Sequence, residues 1–98
     1  MDAAQGVAVS PDGNYVFVTG AGSDSVAVVD VATKTTPVVR GGVLSVTYMD
    51  GAVGVAVSPD GNYVFVTGYN SDSVAVVDVT TKTTPVVRGD IHTYIHVP

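Results

Sequence analysis

Two histidines close the run Ile91-His92-Thr93-Tyr94-Ile95-His96-Val97, and imidazoles four residues apart are the first candidates for chemistry in this sequence. On an extended strand His92, Tyr94 and His96 share one face. They would then lie about 13 Å apart along that strand, whereas the ligands of one zinc ion sit about 2 Å from it. A single straight strand therefore does not chelate with this pair. Histidines meeting at a joint between neighbouring chains stay open, and solvated or packing imidazoles are the plainer reading.

Asp24 and Asp72, in "GSDS" and "NSDS", offer oxygen ligands to a hard cation, but the loops lack the carboxylate density that calcium prefers, so turn and loop caps are expected instead. Ser10 and Ser58 precede proline without an accompanying histidine, which argues against nucleophiles. Gly20, Gly22, Gly41 and Gly42 precede no helix and so form no phosphate loop. The expected catalytic set is empty, and no metal or cofactor is expected.

The elements that would position these residues are written twice. "GVAVSPDGNYVFVTG" occupies Gly6 to Gly20 and recurs from Gly54 to Gly68. Aligning residues 6–41 with 54–89, at a period of 48, only Ala21/Tyr69, Gly22/Asn70 and Ala32/Thr80 differ. This divides the chain into units 1–48 and 49–98. A period in the forties with strands inside it is the signature of propeller blades, units that cannot cover their own faces alone. Within each unit "GVAVS" stops at Pro11-Asp12-Gly13-Asn14, where proline presets one dihedral, glycine supplies a positive φ and the Asp and Asn side chains bond nearby backbone. "YVFVT", "VAVVDV" and "PVVRGGVLSVTY" follow, the last with a Gly-Gly break that bends or bulges it. Four strands per unit result.

Composition supports an all-β fold. Twenty-four residues are valine, leucine appears once and glutamate never, so β-branched residues replace the usual helix formers. Tyr15, Phe17 and Thr19 point one way on their strand while Val16 and Val18 point the other; Val26 and Val28 likewise oppose Ala27, Val29 and Val31. Both faces are apolar, which places each unit between two neighbours. A chain of 98 residues buries only about 60–65% of its unfolded surface, so an uncovered apolar face marks an association surface. The net charge of −5, with only Lys34, Arg40, Lys82 and Arg88 as cations, argues against nucleic acid or membrane as partner. There are no cysteines, and Met1-Asp2 and the short apolar runs give no signal peptide or spanning helix, so the chain is expected to be soluble with its compartment left open.

The stretch "SPDGNYVFVTGAGSDSVAVVDVATKT", Ser10 to Thr35, resembles the YVTN-type β-propeller repeat, and Ser58 to Thr83 matches equally well. The resemblance rests on a Ser-Pro-Asp-Gly turn, an aromatic-Val-Thr strand, a polar loop and an Asp-ended strand in that order. Glycine replaces the family's final asparagine, and the fourth strand is longer. The resemblance implies two four-stranded antiparallel blades, and a structural role for Asp30 and Asp78 bonding within each blade. Members of that family generally carry all their blades in one chain, so two blades imply ring completion by other copies: three chains give six blades, the favoured expectation, and four give eight.

In such a ring the second-to-third strand loop and the fourth-to-first connection share one rim, where the two units differ most. Tyr69, Asn70 and Tyr48 on that rim are the expected ligand contacts, set against neutral drift in exposed loops. The resulting functional expectation is a non-catalytic, oligomeric scaffold presenting repeated loops to a glycan or protein, with avidity from multiple copies. Two alternatives stand beside it: an enzyme or cofactor-binding propeller with a site at the ring centre, and an engineered or excised fragment, since near-identical copies suit recent duplication or design.

Overall fold

The computed structural model describes residues 3–44, 50–70 and 72–92. Eight strands form two antiparallel sheets, each with its strands in sequence order. The first holds β1 (Ala4–Val9), β2 (Tyr15–Gly20), β3 (Ser25–Asp30) and β4 (Val38–Leu44); the second holds β5 (Ala52–Val57), β6 (Tyr63–Gly68), β7 (Ser73–Asp78) and β8 (Val86–His92). The all-β expectation of two four-stranded units holds. Within the described residues the fourth strands run over Val38–Leu44 and Val86–His92, and Tyr48, Tyr94 and His96 lie outside the described residues.

The turn between β1 and β2 closes as its residues dictate. Gly13 N–H donates to the Ser10 carbonyl at 2.9 Å, and Ser10 N–H to Tyr15 O at 2.8 Å. Gly13 adopts φ +77° and Gly61 φ +78°, a left-handed conformation that glycine takes without steric cost. Asp12 Oδ1 accepts from Ser10 Oγ at 2.6 Å and from Asn14 N–H at 2.9 Å, and Ser10 Oγ in turn accepts from Tyr15 N–H at 3.0 Å. Ser58 and Asp60 repeat these bonds. Both serine hydroxyls are therefore turn fasteners.

The expected Gly-Gly break is a β-bulge. Val28 pairs with Gly41 while Val29 pairs with Val39, leaving Arg40 as the extra residue, and Arg88 occupies the same place between Val87 and Gly89. The bulge turns each guanidinium toward the end of the preceding strand, where Arg40 Nε lies 3.2 Å from Asp30 Oδ2 and Arg88 Nε 3.3 Å from Asp78 Oδ2. Exposed pairs of this kind add little stability; their effect is to hold the bulge against its neighbour.

The two sheets lie face to face, with β1 against β5. The first sheet contributes Phe17, Val26, Val28 and Thr19, and the second contributes Val64, Val66, Ala75 and Val77, all fully buried. Opposite faces of the two sheets are thus in contact. Thr19 Oγ1 accepts from Gly6 N–H at 2.9 Å and donates to the Val53 carbonyl at 3.2 Å, so this buried hydroxyl is satisfied by both sheets. Lys82 places its ammonium 5.3 Å from the centre of the Tyr15 ring, close enough for a cation–π attraction.

Phe17 fills the centre of this contact, and truncating a fully buried phenylalanine costs about 3–5 kcal/mol. We expect Phe17→Ala to lower the urea unfolding midpoint by a corresponding amount. An unchanged midpoint would mean that the contact between sheets is not the core.

Candidate functional site

Register separates two ends of the molecule. At the turn end lie the β1–β2 and β5–β6 turns, the β3–β4 and β7–β8 loops, and the Tyr15–Asp30 and Tyr63–Asp78 pairs; at the loop end lie Gly20 opposite Ser25 and Gly68 opposite Ser73. All four cations belong to the turn end. Lys34 Nζ donates to the carbonyls of Gly13 and Val31, Lys82 Nζ donates to Val79 O, and the two arginines meet Asp30 and Asp78.

The loop end gathers carboxylates, an amide and a phenol. Asp50 and Gly51 precede β5, and the β6–β7 loop folds onto them: Asn70 N–H donates to Asp50 O and Tyr69 N–H to Gly51 O, each at 3.0 Å. Asn70 Nδ2 lies 3.4 Å from Asp50 Oδ1, and the Tyr69 side chain stands in solvent at 75% exposure. Asp24 reaches across from the first sheet, its Oδ1 accepting from Gly51 N–H at 2.9 Å. Asp24 and Asp72 both hold positive φ, 52° and 49°.

Of the residues singled out in the sequence, Tyr69 and Asn70 lie in the β6–β7 loop at this end, next to Asp50, which sequence reasoning missed. Its signal was one of position and not of repeat divergence: Asp50 recurs as Asp2 at the 48-residue period, and it lies in the connection into β5, on the same rim as the non-repeated loop. Asp24 is more than a local loop cap, since it joins the two sheets. Asp30 caps locally as the resemblance implied, accepting from Ala32 N–H at 2.9 Å, with the arginine partner as an addition. No group of three or more metal-ligating side chains occurs among the described residues. His92 ends β8 opposite Ser73.

Four-stranded sheets stacked face to face around one pair of inner strands define a section of a β-propeller. The chain matches the family described as "Lactonase, 7-bladed beta-propeller" over residues 2–98 and belongs to it. No curated protein sequence matches the chain. Among solved structures it is similar to a protein of unknown function from Desulfotomaculum acetoxidans (TM-score 0.80, 19% identity, 92% of this chain and 27% of that one). It is also similar to hydrazine synthase from Kuenenia stuttgartiensis (0.77, 29%, 95% and 24%) and to a putative 6-phosphogluconolactonase from Bacteroides fragilis (0.74, 21%, 92% and 26%). The chain spans about a quarter of the length of these structures.

Membership of a family described as a lactonase overturns the expectation of a non-catalytic scaffold, and with it the exclusion of an enzyme. The physical reason for the error is one of scale. We sought a complete nucleophile or carboxylate pair within two blades, whereas a propeller site drawing on several blades shows only a fraction of its groups in any two.

Four turn-end and strand-end carboxylates titrate below their ordinary value of 3.8. For Asp12 and Asp60 the main cause is the hydroxyl bond from Ser10 or Ser58, then the amide of Asn14 or Asn62. For Asp30 and Asp78 it is bonding from residue 32 or 80, with the arginine contributing less. A lowered folded value means stability that is present above the unfolded value and disappears as pH falls through the folded one. We expect the melting temperature to hold down to about pH 4 and to fall below it, with Asp12→Asn/Asp60→Asn showing a shallower acid drop. Equal acid slopes in both proteins would contradict this assignment.

Proposed function

We propose that this chain forms part of a lactone-hydrolysing propeller and that its own contribution is the Asp50–Asn70–Tyr69 cluster. The observation that carries the reading is the folding of the β6–β7 loop onto Asp50, which sets a carboxylate, an amide donor and an exposed ring side by side. These groups stand at the entrance to β5, the strand of the second sheet that packs on β1. In the proposed reaction Asp50 takes a proton from water as its oxygen attacks the lactone carbonyl carbon. An Asn70 Nδ2–H faces the carbonyl oxygen as it gains negative charge. The ring C–O bond then breaks, the leaving oxygen takes up the proton, and a hydroxy acid departs. The Tyr69 ring supplies a flat contact for the substrate.

Charge placement narrows the substrate class. Two neighbours are putative 6-phosphogluconolactonases, but the described loop end of this chain carries Asp24, Asp50 and Asp72 while its cations lie at the other end. Like charge disfavours a phosphate there. The reading is therefore an uncharged lactone. We also infer that the repeat is of the YVTN type. Its support is the order of turn, aromatic strand, polar loop and Asp-ended strand, which fall on β2, β3 and the turns around them.

In a pH-stat assay of the purified protein we expect an uncharged aldonolactone to be hydrolysed with a higher kcat/KM than its phosphorylated counterpart. Asp50→Asn should lower kcat by about 10²–10⁴-fold, the usual contribution of a general base, without changing the melting temperature. No hydrolysis above the buffer rate, or equal rates for the variant, would refute the assignment.

A further inference from the structure

We propose that a second copy of this chain docks head to tail on this one, its first sheet seated on the outer face of the second sheet, through a repetition of the contact already present between the two sheets. The proposal is independent of the lactone reading. Its basis is that each half of a mated interface also exists unmated on the same molecule.

The face of the first sheet that is buried carries Tyr15, Phe17, Thr19, Val26 and Val28; residue for residue, the outer face of the second sheet carries Tyr63, Phe65, Thr67, Val74 and Val76. Phe17 is 0% exposed and Phe65 40%. Conversely, Val64, Val66, Ala75 and Val77 of the buried face recur as Val16, Val18, Ala27 and Val29 on the outer face of the first sheet. Ala52 and Pro85 are buried, while their counterparts Ala4 and Pro37 are exposed. Val9 on β1 is 58% exposed. The second sheet thus presents the surface that its own inner face already fits, and the first sheet presents that inner face.

Steric detail points the same way. A methyl group on Gly41 would lie 2.8 Å from the carbonyl oxygens of Lys82 and Thr83, so glycine is required by the sheet opposite. Gly89 is its counterpart, yet nothing lies within 4 Å of the same position, and Gly89 is not among the residues with positive φ. Neither its backbone nor its surroundings in a single chain call for glycine. The carbonyls of Lys34 and Thr35 from a docked copy supply the missing reason.

The loop end holds the matching socket. An open depression bordered by Val53, Thr67, Gly68, Tyr69 and Val74 lies on the outer side of the second sheet. In the first sheet the corresponding place is taken by Gly51 to Val53, held by the Asp24 and Thr19 bonds. The segment equivalent to Gly51–Val53 is Ala3–Gln5. Ala3 already adopts φ 53°, near the 66° of Gly51, and its carbonyl accepts from Ala21 N–H at 3.0 Å, as Gly51 O accepts from Tyr69 N–H. In the docked pair Ala3–Gln5 of one copy enters the depression of the other, Thr67 Oγ1 donates to the Gln5 carbonyl, and Lys34 lies over Tyr63. Because the two faces differ, the contact is heterologous and propagates until a ring closes.

The test mixes two variants of the full chain, each damaged on one face, and measures mass by analytical ultracentrifugation. Wild type is expected as a discrete closed assembly of the 9.9-kDa chain, about 30 kDa for three copies or about 40 kDa for four. Phe65→Asp and Val18→Asp are each expected as monomers, and their equimolar mixture as a dimer of about 20 kDa that grows no further, since only one pair of intact faces remains. Gly89→Val, whose Cβ meets nothing within 4 Å in the single chain, should keep the strand circular dichroism and melting transition of a folded monomer while losing assembly. A monomeric wild type at 100 µM, a mixture that fails to pair, or a Gly89→Val protein that assembles like wild type would each overturn the proposal.

Discussion

The structure depends on one contact, the apolar face of Phe17, Val26 and Val28 laid on that of Val64, Val66 and Val77. Each sheet is apolar on both sides, so neither one satisfies its own surface by folding. β-Branched residues make the strands and, in the same act, create faces that need covering. The inter-sheet bonds are secondary to this: Thr19 to Val53, Gly51 to Asp24 and Lys82 over Tyr15 fix the register of two surfaces that apolar burial brings together. Gly6 shows how close that approach is, since a methyl group there would lie 2.5 Å from the Val53 carbonyl oxygen.

Local chemistry was legible in the sequence. Alternation gave the faces of β2 and β3, and "SPDGN" gave a turn with glycine at the positive-φ position, because those features act within a few residues. The identity of the bulge residue, Arg40, was not legible, since Gly41 and Gly42 were equally suitable and the choice rests on the Asp30 carboxylate ten residues back. Asp24 read as a loop cap because its actual partner, Gly51 N–H, lies 27 residues away in the other sheet. Asp50 was overlooked for the same reason: its meeting with Asn70 exists only once the connection and the loop fold onto one rim.

Function followed the same division. A repeat advertises architecture in every copy, whereas a site drawn from several blades leaves only a few groups in each. In the reading proposed above, the few here are Tyr69 and Asn70, which break the repeat, next to the connection that carries Asp50. Tyr69 borders the depression that the docking geometry assigns to a neighbouring copy. On this account the rim cluster and the joint between copies are adjacent, and the substrate site lies beside a seam.

The chain has two phenylalanines, one on the buried contact and one at its unmated equivalent, so fluorine NMR of fluorophenylalanine-labelled protein tests the account most directly. With a soluble paramagnetic probe present, repetition of the sheet contact predicts that both signals are protected to the same degree. One protected signal and one strongly relaxed signal, assigned to Phe65 by substitution, would contradict it.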